Sequence, residues 1–138
     1  MPGMRARVLV LVPEPMAALL AALLDESGYA PVSVNDAAEA AAALAALAPE
    51  AVLIWVAPTD SESVARLHAL ARGRRDVPLL AVVGPDDAAS GRSLAQFGAD
   101  GRILLTEDAD REALEPLRQA LEARAREQRR RRLGHAIP

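Results

Sequence analysis

Few side chains in this sequence could carry out covalent chemistry. The chain has no cysteine, and its sixteen basic residues are all arginine. Without a thiol or an amine it has no cysteine nucleophile, no cysteine-based zinc cluster, no Schiff base and no lysine for a Walker-type phosphate loop. The histidines, His68 and His135, have no organised acid or base partner, so we interpret them as surface or packing residues. An enzyme is the class that we least expect, and no cofactor is indicated.

Several acids and hydroxyls lie in loops where a binding site would be expected. Asp60 and the pair Asp86 and Asp87 each follow an apolar run. Each also precedes a segment with helical periodicity, where carboxylates and hydroxyls accept hydrogen bonds from the first free N–H groups. We therefore interpret these three acids, together with Thr59 and Ser61, as helix caps and solvated loop residues.

The elements that must position these residues follow from the hydrophobic pattern. Five short apolar runs predict strands at 7–12, 31–34, 51–56, 78–83 and 101–105. Four segments of helical period separate them, at 14–27, 36–48, 61–72 and 87–97, and a fifth predicted helix starts near 108 or 110. This alternation is typical of βαβ crossovers, and we predict an α/β fold with a doubly wound, five-stranded parallel sheet.

Local signals set several of the predicted helix ends. Gly28 suits a left-handed stop after the first helix, and Asp36 with Glu39 forms a variant of the capping box at the start of the second. Pro116 falls inside the fifth predicted helix. Two interpretations remain open: either the first turn is irregular and the regular helix begins near Pro116, or the helix is kinked there.

Charge divides the chain into a body and a tail. Residues 1–121 hold 17 acids and 10 arginines, whereas residues 122–138 hold 2 acids and 6 arginines, so the balances of −7 and +4 give the net charge of −3. We expect one folded domain over 1–122 and an arginine-rich helical extension over 123–138. No apolar run approaches the ~20 residues that span a bilayer, so we expect a cytoplasmic protein with no membrane partner.

Five phrases in the correct order resemble the receiver domain of bacterial response regulators. They are "RVLVLVPEP", "LLDESGYAPVSVNDAAEAAAAL", "PEAVLIWVAP", "DVPLLAVVG" and "FGADGRILL", and the resemblance covers about residues 5–122. It implies a flavodoxin-like (βα)5 fold. It also implies that chemistry, where present, lies at the carboxyl ends of the strands, which is where ligands bind in open parallel sheets.

The resemblance further implies that this is a degenerate receiver. The family's acidic pair, which holds Mg²⁺, falls on Val12 and Pro13, with only Glu14 left of the acidic run. The phosphoacceptor aspartate falls on Trp55. The hydroxyl, lysine and aromatic switch positions of the family fall on Val83, Leu105 and Arg102. A magnesium ion requires oxygen ligands and phosphoryl transfer requires charged groups, so we expect no acyl phosphate to form.

Trp55 has two interpretations. The indole either fills the volume that acids, metal and lysine would occupy, beside Val12, Val83 and Leu105, or it lines an apolar ligand pocket or partner anchor. Three functions follow. The first is a pseudo-receiver that binds a protein partner or a second copy of itself through the fourth helix, fifth strand and fifth helix. The arginines expected on that face are Arg92, Arg102, Arg111 and Arg118.

The second function is a small-molecule sensor whose altered pocket binds an apolar or anionic metabolite. The third is a nucleic-acid adaptor that acts through the arginine-rich tail, because arginines bind phosphates. The alternative for that tail is a solvated extension of the fifth helix. The cluster concerned comprises Arg129, Arg130, Arg131 and Arg132.

Overall fold

The structure is a computed structural model that describes residues 5–57, 60–73, 76–85 and 98–136. Its strands are β1 (Arg7–Leu11), β2 (Ala30–Ser33), β3 (Ala51–Trp55), β4 (Leu79–Val83) and β5 (Gly101–Leu104). They form one sheet in the order β2-β1-β3-β4-β5, and every neighbouring pair is parallel. The predicted five-stranded parallel sheet is therefore confirmed, with each strand within about two residues of its predicted bounds.

The helices in the described part of the chain are α1 (Met16–Glu26), α2 (Ala37–Leu47), α3 (Ser61–Gly73) and a C-terminal helix (Glu115–Ala136). The predicted helix at 87–97 lies outside the described residues, as do Asp86 and Asp87, so four α-helices are assigned within the described ranges. The C-terminal helix runs without interruption through residues 122 and 123. None of the helices described here is long and apolar enough to cross a membrane.

The start of the C-terminal helix resolves the position of Pro116. A short 3₁₀ helix, Arg111–Leu114, comes first, and Asp110 caps it by accepting a 3.0 Å hydrogen bond from the Glu112 N–H. Pro116 is the second residue of the regular helix that follows. A proline in the first turn removes no intrahelical hydrogen bond, so the irregular first turn, rather than a kink, accommodates it.

Two layers of side chains build the core, one on each face of the sheet. Leu53 of β3 and Val82 of β4 pack towards α1 and the C-terminal helix, whereas Ile54 and Val83 pack in the second layer with residues of α2 and α3. Alternate strand residues reach opposite faces, and helices cover both faces. The strands are therefore apolar at almost every position.

The predicted cap of α2 is confirmed. The Asp36 carboxylate accepts a 2.8 Å hydrogen bond from the Glu39 N–H, and the Glu39 carboxylate accepts one of 2.6 Å from the Asn35 N–H. These reciprocal bonds satisfy N–H groups that the first turn leaves without partners. They fix the β2–α2 connection at the carboxyl end of the sheet, beside the candidate site.

Candidate functional site

The carboxyl ends of β1, β3, β4 and β5 bring the sequence-predicted site residues to one edge of the sheet. Trp55 lies opposite Val82, and Val83 lies opposite Leu104, in the strand register. The side chains at three of the positions that the resemblance singled out are apolar and closed to water, with exposed fractions of 7% for Val12 and 0% for Val83 and Leu105. At these three positions the edge continues the apolar core.

Trp55 is the half-buried member of this group. It packs against the layer that contains Val12 and Leu105, whereas Val83 belongs to the layer on the opposite face. The indole lies against Gly84, where an added Cβ would be 3.4 Å from its Cη2 atom. The structure therefore places Trp55 as part of the core edge, with one side still open.

The side chains at this edge do not fit a magnesium ion. Mg²⁺ requires near-octahedral oxygen ligands, usually with one or two carboxylates. Val12, Pro13 and Trp55 offer no side-chain oxygen, and Glu14 is a single exposed carboxylate. Within the described ranges, no group of three acids or histidines could hold a metal ion.

Asp60 is the described acid nearest in sequence to Trp55 on its carboxyl side, and it has a structural role as a helix cap. Asp60 accepts a 3.2 Å hydrogen bond from the Glu62 N–H at the start of α3, as expected for a helix cap. Thr59, Asp86 and Asp87 lie outside the described residues. His68 is an exposed residue of α3, and His135 lies in the last turns of the C-terminal helix.

One polar residue at this edge was missed by the sequence analysis. Ser63 is 3% exposed, and its Oγ accepts a 3.0 Å hydrogen bond from the Ala57 N–H and lies 3.4 Å from the Trp55 carbonyl oxygen, to which it donates. These bonds tie the end of β3 to α3. The available signal was its position four residues before the buried Leu67, on the apolar face of the helix.

Arg66 was also missed. It lies on α3 and lines a pocket of about 210 Å³ together with Glu14, Asn35 and Trp55. Helical spacing puts Arg66 one turn after Ser63, on the side of α3 that faces this end of the sheet. The sequence alone does not show that the first residues after β1 and the middle of α3 border the same space.

The arginines of the predicted interaction face are only partly brought together. Arg111 and Arg118 line one cleft with Ser27 and Tyr29, while Arg102 lies on β5. Arg92 is outside the described residues. Arg118 forms ion pairs with Glu115 and Glu122, so much of its charge is already compensated.

Two pKa values reflect this arrangement. The hydrogen bond from Arg118 lowers the pKa of the Glu115 carboxyl below its ordinary value. Burial raises the pKa of the Tyr29 hydroxyl, with the Arg118 charge acting in the opposite direction. The lowered pKa of Glu115 comes from its ion pair and the raised pKa of Tyr29 comes from burial, and neither marks a catalytic group.

The arginine cluster of the tail lies on the C-terminal helix and contacts the amino-end edge of the sheet. Arg131 Nη1 lies 3.3 Å from Asp76 Oδ2, and Arg124 Nη1 donates a 3.2 Å hydrogen bond to the Glu50 carbonyl oxygen. Arg130 pairs with Glu127 within the helix. Arg129 and Arg132 are exposed.

Solved structures with the same fold are receiver domains. NtrX from Brucella abortus superposes with a TM-score of 0.79 at 22% sequence identity, over 94% of this chain and 29% of the NtrX chain. The signal receiver domain of a modulated diguanylate cyclase from Desulfovibrio desulfuricans gives 0.68 at 20% identity, over 89% of this chain and 98% of that domain. The receiver domain of the TMAO respiratory system response regulator TorR gives 0.69 at 19% identity, over 86% and 98%.

This chain therefore spans less than a third of NtrX and nearly the whole of the isolated receiver domains. No protein-family model and no curated protein matches it. At these identities the likeness establishes the fold, and the chain has the fold of response-regulator receiver domains. What it does has to be argued from its own residues.

Proposed function

We propose that this chain is a regulatory module with a receiver fold that acts through binding and not through phosphorylation. The observation that carries the proposal is the burial of apolar side chains at positions where the family places charged or hydroxyl side chains. Val12, Val83 and Leu105 are all closed to water. Val12 and Leu105 pack in the same layer as Trp55, the position that corresponds to the phosphoacceptor, and Val83 lies at the same strand ends in the other layer.

The physical argument concerns charge. Transfer of a phosphoryl group depends on a nucleophile, a metal ion and cationic groups that neutralise its oxygens. Trp55 replaces the carboxylate nucleophile, and Leu105 replaces the lysine. A phosphate at this edge would lack the metal ion and the lysine that neutralise it, and although Arg66 lines the adjoining pocket, so does the anionic Glu14. Burial of an incompletely compensated charge is unfavourable.

A route to regulation that needs no phosphate is a surface that a partner recognises, and we propose a protein partner or a second copy of the chain. The fold supports this role because receiver domains commonly bind other proteins through a surface of the domain. Arg111 borders the cleft in which Arg118 is paired with Glu115 and Glu122, and the C-terminal helix adds the exposed Arg129 and Arg132. An acidic protein surface is the complementary partner.

The test is incubation of the purified protein with Mg²⁺ and acetyl phosphate, followed by intact mass measurement. A phosphorylatable receiver domain in the same tube serves as the positive control. The expected result is a mass increase of the control alone, and no change of Trp55 fluorescence on addition of beryllofluoride. Addition of a phosphoryl group that hydroxylamine removes would identify an acyl phosphate and overturn the proposal.

A further inference from the structure

The pocket between the carboxyl ends of β1 and β3 combines two opposite charges with an apolar wall. Arg66 of α3 and Glu14 of the β1–α1 connection both line it, together with Trp55. We propose that this pocket binds a small zwitterion, namely a free amino acid with an apolar side chain. This inference goes beyond the proposed function, because it assigns a ligand to a site where we propose that no phosphate is carried.

The two charged groups are not paired. Among the residues that the structure describes, none forms an ion pair or side-chain hydrogen bond with Arg66 or Glu14, and the two do not pair with each other. The other acids near helix starts differ, because Asp36 and Asp60 accept bonds from backbone N–H groups. A half-buried guanidinium without an acceptor is suited to a carboxylate, which it binds through two parallel N–H donors.

The wall between these charges is apolar. Val12, Val34 and the half-buried Trp55 line the pocket, and Asn35 lines it as well. Aromatic faces favour contact with an apolar body and also attract a ligand ammonium group. The ligand therefore needs an apolar group, such as an aliphatic side chain, close to its charged groups.

The size of the pocket limits the ligand. Its volume of about 210 Å³ is below the roughly 300–1,000 Å³ of pockets for drug-sized molecules. A nucleotide is too large, whereas a free amino acid is of suitable size. Inorganic phosphate would be attracted by Arg66 but repelled by Glu14, because two negative charges placed close together in one pocket are unfavourable.

The probes are L-leucine and L-valine, with 4-methylpentanoate and 3-methylbutylamine as forms of leucine that lack the amine or the carboxylate. Trp55 is the single tryptophan of the chain, so its fluorescence reports this pocket alone. Saturable changes are expected with both amino acids, and binding about tenfold weaker or less with each half-ligand, since each loses a hydrogen bond to a charged group. Equilibrium dialysis with labelled leucine measures binding independently of the fluorophore.

The variants are Arg66→Met and Glu14→Gln, with Arg72→Met as the matched control on the same helix and outside the pocket. Both pocket variants are expected to weaken leucine binding by about tenfold or more, and the control to leave it unchanged. Thermal melting of each variant shows whether it is folded. Absence of saturable binding up to the millimolar range by both methods, or equal binding by Arg66→Met, would overturn the proposal.

Binding of inorganic phosphate in preference to leucine would also overturn it. The result of this binding experiment is independent of the phosphorylation test of the proposed function, because ligand binding is measured without acetyl phosphate. A chain that fails to bind amino acids and also fails to accept phosphate would leave the proposed function standing and remove only the ligand assignment.

Discussion

At the amino ends of the strands, charged side chains form hydrogen bonds and ion pairs with neighbouring segments. At the carboxyl ends, by contrast, the side chains that close the core are apolar. Arg124 donates to the Glu50 carbonyl oxygen before β3, and Arg131 pairs with Asp76 before β4. Asp100 accepts a 2.9 Å hydrogen bond from the Leu79 N–H of β4. At the opposite edge, Val12 and Leu105 close the core without any charge.

The difference lies in whether each charge is compensated. Arg131 pairs with Asp76, and Asp100 accepts from the Leu79 N–H, so these charges have partners in the fold. Arg124 donates through Nη1, while its buried Nε has no partner among the described residues. At the carboxyl-end edge, Glu14 and Arg66 have none among the described residues. A charge that the fold does not use is the better candidate for binding, because its interactions remain available to a ligand.

The largest effect is expected from a charge placed in the apolar edge. Leu105 is fully buried, so Leu105→Lys would bury an ammonium with no partner. The expected loss is about 3–5 kcal/mol of unfolding free energy, the range seen for an uncompensated buried charge. Urea unfolding measures it.

Leu105→Met is the matched control, and it should cost less than about 1.5 kcal/mol because volume and polarity are preserved. If the lysine variant were as stable as the methionine variant, the new ammonium would have to reach water or an acid. The carboxyl-end edge would then be an open, charge-tolerant site, and the contrast between the two edges would fail.

A smaller effect is expected at the amino-end edge from Asp100→Ala. This change removes the acceptor of the Leu79 N–H, and Leu79 is fully buried. An unsatisfied buried donor costs about 1–3 kcal/mol, so the unfolding midpoint in urea should fall accordingly. Asp100→Asn keeps an acceptor oxygen and should lose clearly less. Equal losses for the two variants would mean that the charge, not the hydrogen bond, is what matters.

The smallest effect is expected from Arg131→Ala. Its partner Asp76 is 74% exposed, and exposed ion pairs contribute about 0.2–1 kcal/mol. The loss should shrink as salt is added, because salt screens exposed charges. Arg132→Ala, the exposed neighbour, should leave the unfolding free energy unchanged. A salt-independent loss larger than that range would show that the tail packs against the body by more than one ion pair.

The sheet and most helix ends could be predicted because their causes are local. Continuous apolar runs of strand length, separated by helical periods, require a sheet covered on both faces. The cap at Asp36 and the stop at Gly28, which has a φ of +91°, follow from short-range backbone chemistry. For Pro116 the sequence left two possibilities, an irregular first turn or a kinked helix. The choice between them depended on the 3₁₀ turn that Asp110 caps.

The site could be predicted only in part. The strand ends were identified because parallel strands end at one edge, and the apolar character of Val12, Trp55 and Leu105 was plain. Ser63 and Arg66 were missed because nothing in the local pattern of α3 shows which loop its polar residues reach. The grouping of Arg111 with Arg118, beside Ser27 and Tyr29, likewise depended on how the C-terminal helix packs against the end of α1.

The sequence by itself determined the class of fold and excluded much chemistry, because periodicity acts within a few residues and a missing lysine or cysteine is missing in any conformation. Only the tertiary structure decided which charges are compensated. Arg131 and Asp76 are 55 residues apart in the chain, and Glu14 and Arg66 meet at one pocket from separate elements. Such pairings depend on the packing of helices against the sheet, which brings together side chains that no local pattern connects.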